Sequence, residues 1–429
     1  MRALKILIIA ILISGCTTSM TQPTASLNTV AERYVRLVLA MGEHDADYVD
    51  AYYGPPEWRE IVKTERAPLQ QVYDDALALR RDIAAIPVPS DKLLTLRHEY
   101  IRRQTEAVIT RAEMLRGRKF TFDEESQALY DAVSPAHPES HFQSLLQKLE
   151  GELPGDGALT DRIEAFRKGF VIPKDRLDAV FQRAIEGCKE RTLQHIELPS
   201  NESFTVEYVT NKSWSGYNWY QGNNRSLIQV NTDLPIYIDR AIDLACHEGY
   251  PGHHVYNVLL EKHLFRDRGW VEYSVYPLFS PQSLIAEGSA NYGIEIAFPG
   301  AERPAWEKQH LFPIAGLDAS QADRYYRVQD LIAKTSYAGN EAARRYLNGE
   351  WTADRAVEWL VRYGLYSPDR ARQRVKFMDQ YRSYVINYNL GKDLVREYVQ
   401  RHAGNDPKKR WEVFEELLST PRLPSALKK

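Results

Sequence analysis

Within one stretch of eight residues, His247-Glu248-Gly249-Tyr250-Pro251-Gly252-His253-His254, the chain places three of its 11 histidines beside a glutamate and a Pro-Gly pair. Two imidazoles on one side of a helix with a neighbouring carboxylate can hold a divalent metal and move a proton at a water molecule, which is the chemistry of zinc hydrolases. In the common arrangement, H-E-x-x-H, the histidines are four apart and face the same way. Here the position four after His247 is Pro251. A proline there cannot donate to the carbonyl of residue 247 and clashes with it, so the helix must kink or bulge.

In a straight helix His254 would face as His247 does but lie about 10 Å further along the axis, too far to share an ion bound at about 2 Å. A bulge of two residues instead brings His253 to the ligand position. His247 and His253 are therefore the expected ligands, with His254 behind them or, alternatively, as the ligand itself. A catalytic zinc needs a third protein ligand and an open position for water. Ala286-Glu287-Gly288, on an expected helix downstream, offers Glu287, while Glu295 on the same helix is either a solvated carboxylate or a support for a ligand histidine. Glu248 is the expected general base.

These residues resemble the DUF885 proteins, a bacterial group similar to zinc metallopeptidases. The resemblance rests on His247 to His254, on Glu287-Gly288 with Tyr292, on Ile172 to Leu177, and on Ser383 to Gly391. It spans roughly residues 160 to 400. It implies a mainly α, gluzincin-like domain, zinc held by His247, His253 and Glu287, and Glu248 as base. It also points to Tyr388, in Asn387-Tyr388-Asn389-Leu390-Gly391, as a donor to the oxyanion of a tetrahedral intermediate. Glu287-Gly-Ser-Ala-Asn-Tyr292 departs from the family's Glu-Gly-Trp-Ala-Leu-Tyr pattern, and the family's late histidine has no counterpart. Two other readings fit the same residues: a zinc amidohydrolase acting on cell-wall or other non-peptide amides, and a non-catalytic zinc lipoprotein in which His254 closes the coordination shell.

The elements that must position these groups are mostly helical. Thr29-Val-Ala-Glu32 has capping-box spacing before an amphipathic run, Leu93 to Ile109 repeats with helical period, and a further helix follows Pro173. A final helix is expected around Trp411 to Leu418. Phe204 to Thr210 alternates and Ser226 to Thr232 partly does, so a small β-sheet is expected beside the metal-binding helix. Ser226 to Thr232 precedes that helix directly, in the place of an edge strand that would pair with an extended substrate backbone. Asp233-Leu-Pro235 supplies the expected helix start.

The 429 residues are 44% hydrophobic and 26% charged, with a formal net charge of -3. That is an ordinary globular balance, and nothing in it suggests a nucleic-acid partner. The first residues are more particular. Arg2 and Lys5 precede an apolar run to Ile13, and Ser14-Gly15-Cys16 follows, as in a lipoprotein signal peptide. The expected organisation is a signal over residues 1–15, a flexible tether over 16–28, and one catalytic domain over 29–429. Cys16 would carry the lipid, and the resemblance to bacterial lipoproteins implies that Thr17, in place of Asp, favours the outer membrane, facing the periplasm. The expected partners are a peptide substrate and the membrane. Cys188 and Cys246 are read either as a disulfide or as two buried thiols.

Overall fold

The computed structural model describes residues 26–212 and 214–428. The signal sequence, Cys16 and all but the end of the tether lie outside the described residues. The first helix, Leu27–Gly42, starts two residues before the expected domain boundary, and its cap is Ser26, whose hydroxyl accepts from the Thr29 amide. Thr29 is thus inside the helix, and the box it was expected to form with Glu32 is not the cap.

Most of the chain is helix, and one large apolar core of buried residues runs from Val30 to Leu427, beside a small separate cluster of Leu149, Leu153, Ile163 and Val328. The long helix expected after Ser90 spans Lys92–Leu115 and is capped by Asp91, the helix after Pro173 spans Leu177–Leu193, and the last long helix spans Pro407–Ser419. Two small sheets interrupt this architecture. One pairs β1, Val49–Tyr52, antiparallel with β5, Val275–Pro277. The other has the order β2-β4-β3, with β2 at Ser203–Val209, β3 at Gly216–Gly222 and β4 at Arg225–Asn231.

This order corrects one sequence expectation. The strand before the metal-binding helix, β4, is central: it pairs in parallel with β2 and antiparallel with β3, so both of its hydrogen-bonding edges are used. The edge strand beside the helix that carries His247 is β3, which lies between the two stretches expected to be strands. The helix start also differs. Ile236 accepts a backbone hydrogen bond from Ile172, and Tyr237 bridges Val171, so residues 236–237 are extended and the helix begins at Ile238 rather than at Pro235. The mainly α class with a small sheet against the helix that carries His247 is the architecture observed.

Candidate metal centre

The helix Ile238–Leu244 runs into a wide π turn over Ala245–Gly249, breaks, and restarts at His253–Leu260. The break contains a cis Tyr250–Pro251 peptide bond. A Cβ at Gly252 would collide with the carbonyl oxygens of Cys246 and His247, so only glycine permits this close turn. The break is pinned from behind by Glu202, whose carboxylate accepts from the Tyr250 hydroxyl at 2.6 Å, meets His254 Nε2 at 2.9 Å and pairs with Lys189 at 2.8 Å. Burial works against that charge, but the three partners hold Glu202 down to about 2.

His254 is thereby assigned. It is fully buried between Glu202 and the Ser226 hydroxyl, 2.8 Å from its Nδ1, and both ring nitrogens are used on the sheet side of the helix. His253 turns the other way. Its Nε2 lies 3.1 Å from His247 Nε2, with the rings perpendicular, and Glu287 Oε2 lies 3.4 Å from His247 Nε2 and 3.8 Å from His253 Nε2. These are the residues among those described that could hold a metal ion together.

The donor set fits zinc. Ligands at about 2.05 Å in a tetrahedron stand about 3.3 Å apart, and the three separations bracket that value. Glu287 Oε2 is buried with no hydrogen-bond partner, because 3.4 and 3.8 Å are too long for a good one. The other oxygen, Oε1, accepts from the Tyr384 hydroxyl at 2.9 Å, which orients Oε2 toward the imidazoles. Burial disfavours charge on both acid and imidazole. Even so the two histidines hold Glu287 well below the usual carboxylate range, and Glu287, Glu248 and Asp50 together raise His253 to about 9. The negative potential that would protonate an imidazole there is one that would attract a dication.

Glu287 stands on the helix Pro281–Ala297, which crosses the helix Ile386–Ala403 in backbone contact. A Cβ at Gly288 would collide with the backbone of Gly391. Asn291 ties the two helices by donating to the carbonyls of Glu287 and Tyr388. Gly288→Ala should therefore push the helices apart beside the ligand. Overpacking of this kind costs about 1–3 kcal/mol, and we expect a lowered Tm together with a weakened metal affinity, read by thermal melts with and without zinc.

Glu248 is buried, and its carboxylate lies against Gly216 of β3, on the wall of a cleft of ≈ 2200 Å³ that also contains the three candidate ligands. Its backbone carbonyl accepts from Asn218 on β3 at 2.7 Å. Tyr388 lines the same cleft, its ring 5.8 Å from that of Tyr384. Burial and then Glu287 push both phenols well above their ordinary values, so each remains a proton donor. Glu295 does not support a ligand histidine: it is held by Arg396 and Lys392.

Sequence reasoning missed Tyr384 and Asp50. Tyr384 is four residues before Tyr388, a spacing that puts two side chains on one helical face. Asp50, on β1, accepts from the Tyr217 hydroxyl; burial raises it, to about 6, although that bond opposes the shift. Nothing local in Val49-Asp50-Ala51 marks it, because the second sheet that carries it forms from strands more than 200 residues apart.

The geometry can be set beside known proteins. No family profile and no curated protein matches the sequence. Among solved structures, a candidate lipoprotein from Colwellia psychrerythraea is similar over 95% of this chain and 76% of its own, with 14% identity and a TM-score of 0.52. The chain shares that protein's fold. A candidate lipoprotein of unknown function from Shewanella oneidensis matches over 94% of this chain and 87% of its own, at 12% identity and a TM-score of 0.49. The M32 carboxypeptidase from Deinococcus radiodurans R1 matches over 92% and 88%, at 12% identity and a TM-score of 0.37.

Proposed function

We propose that the chain is a zinc-dependent metallopeptidase of the DUF885 kind, anchored by a lipid on Cys16 to the outer membrane and facing the periplasm. The observation that carries this reading is the orphaned Glu287 Oε2 held at zinc-ligand spacing from two imidazoles, with a second glutamate beside them in an open cleft. A bound zinc would supply Lewis-acid polarisation of a scissile carbonyl and of water.

The chain's own groups supply the rest. Glu248 accepts the proton of the attacking water and returns it to the leaving amine. Tyr388 donates toward the carbonyl oxygen as negative charge builds there. Tyr384 fixes the Glu287 carboxylate, and His254 with Glu202 fixes the turn that presents His253. Peptide is favoured over other amides by β3: it borders the cleft, its outer edge has no strand partner among the described residues, and an extended backbone can add to such an edge. Export agrees with the Cys188–Cys246 disulfide, a bond that persists in oxidising compartments. The Colwellia protein of the same fold is itself described as a candidate lipoprotein.

The test is metal analysis of the mature protein followed by hydrolysis of a mixed peptide library. We expect about one zinc per chain, as a mononuclear site requires, and cleavage that a chelator stops and zinc restores. A protein that retains zinc but cleaves no peptide would overturn the peptidase reading, and one that takes up no metal would overturn the site.

A further inference from the structure

The cleft holds a second group of charged side chains that the proposed hydrolysis does not use. The helix Pro368–Tyr381 presents Arg370, Arg374, Phe377 and Tyr381 to the cleft at helical spacing, so the two arginines lie one turn apart. Arg240 and Arg167 line the same cavity. Arg240 precedes His247 by seven residues, on the helix Ile238–Leu244 that leads into the π turn, so it lies about 10 Å before that ligand along the helical path. Arg374 reaches back toward the metal centre, its guanidinium 5.9 Å from the ring centre of Tyr388.

Four guanidinium groups that line one cavity repel one another, and of the four only Arg240 has a carboxylate partner among the described residues. Arg370 has no side-chain hydrogen bond or ion pair among the described residues. Arg374 is supported by stacking on Phe377, and its Nε is buried without an acceptor. Arg167 stacks over Tyr237 at 3.9 Å, and its Nε is likewise without an acceptor. Arg240 pairs with Asp243 at 2.8 Å, but Asp243 is shared with Arg303, and the nearby Asp239 accepts from Tyr325 and Gln329. Burial lowers the proton affinity of Arg370; Tyr366 opposes that shift, while Arg240, Arg167 and Arg374 add to it, so the other three guanidinium groups lie close enough to act on this one.

We propose that Arg167, Arg240, Arg370 and Arg374 form a subsite that binds a carboxylate of the substrate, supplied by its C-terminus or by an acidic side chain. The inference rests on the peptidase reading and adds a substrate class to it. Guanidinium groups are flat, permanently charged forks that match a carboxylate with paired hydrogen bonds. The distance suits a peptide: about 10 Å from the ligand histidine is roughly three extended residues at 3.3 Å each. A carboxylate two or three residues from the scissile bond would therefore reach the arginines while that bond lay at the metal centre.

The subsite is tested by retention on immobilised, zinc-loaded Glu248→Gln protein, which should bind without cleaving. Three mixed-sequence hexapeptide pools are applied: free acids, the same sequences as C-terminal amides, and amides carrying one glutamate in place of glutamine. Mass spectrometry quantifies what is kept. We expect one of the two acidic pools, or both, to be retained about tenfold or more over the neutral amides, the size of a charge-assisted pair. Arg370→Gln and Arg374→Gln, with melting curves to confirm folding, should each remove that preference and leave retention of neutral amides unchanged. Preference for free acids alone assigns the subsite to a terminal carboxylate, and preference for the glutamate pool assigns it to a side chain. Equal retention of all pools, retention of none, or a preference that survives both substitutions overturns the proposal. Failure of the peptidase reading is seen separately, as absent zinc or absent hydrolysis in the unmodified protein.

Discussion

Glu248→Gln should retain zinc at the level of the unmodified protein and lose hydrolysis by about two to four orders of magnitude, the usual contribution of a positioned general base. The isosteric amide keeps the packing of residue 248 against Gly216 and leaves the Asn218 contact untouched, because that bond is made to the backbone carbonyl. Only the ability to take a proton is removed. Turnover of the peptide library beside metal analysis on the same preparations separates the two quantities. Hydrolysis that survives the substitution would move the base to another group, and Asp50, which acts on His253 along with Glu287 and Glu248, is the first to examine.

Glu287→Ala should have the opposite signature, with zinc lost and activity lost with it. Removing the carboxylate leaves two imidazoles and takes away the buried negative charge that opposes the dication's own. Because losing even a supporting partner of a ligand commonly costs 10–100-fold in metal affinity, losing a ligand should exceed about a hundredfold. Competition against a chromophoric chelator measures it. The comparison with Tyr384→Phe is informative, since that change removes only the hydrogen bond to Glu287 Oε1 and should produce the smaller, supporting-partner effect. Equal zinc affinity in Glu287→Ala and the unmodified protein would remove Glu287 from the site.

The parts of this site that were legible in the sequence are those fixed by local chain geometry. Pro251 forbids a straight helix after His247, and that constraint favours His253 over His254 from the sequence alone. What could not be read locally is what packs against that turn. Glu202, which decides where His254 points, precedes it by 52 residues, immediately before β2. The order of the sheet was equally hidden: alternation marked β2 and β4, but the aromatic run Tyr217-Asn218-Trp219-Tyr220 between two glycines gave β3 no alternating signal. Without β3, the sequence puts β4 at the edge of the sheet, where the structure has it in the centre. Likewise the four arginines come from three separate segments, and only the fold brings them to one wall.

The Cys188–Cys246 bond sets a condition on when such a site can exist. It joins the helix Leu177–Leu193 to the residue just before His247 and closes a loop with a sequence separation of 58, which contains the whole three-stranded sheet. In the chain-entropy account a loop of that length restrains the unfolded chain by about 4 kcal/mol. A newly made chain with free thiols lacks this restraint at the turn that must bring His247 and His253 together. Zinc capture should then lag behind thiol oxidation, and the slower loading of a Cys188→Ser protein would measure the delay. On the peptidase reading, a chain whose thiols are still free would be slower to become an active hydrolase than one whose Cys188–Cys246 bond has formed.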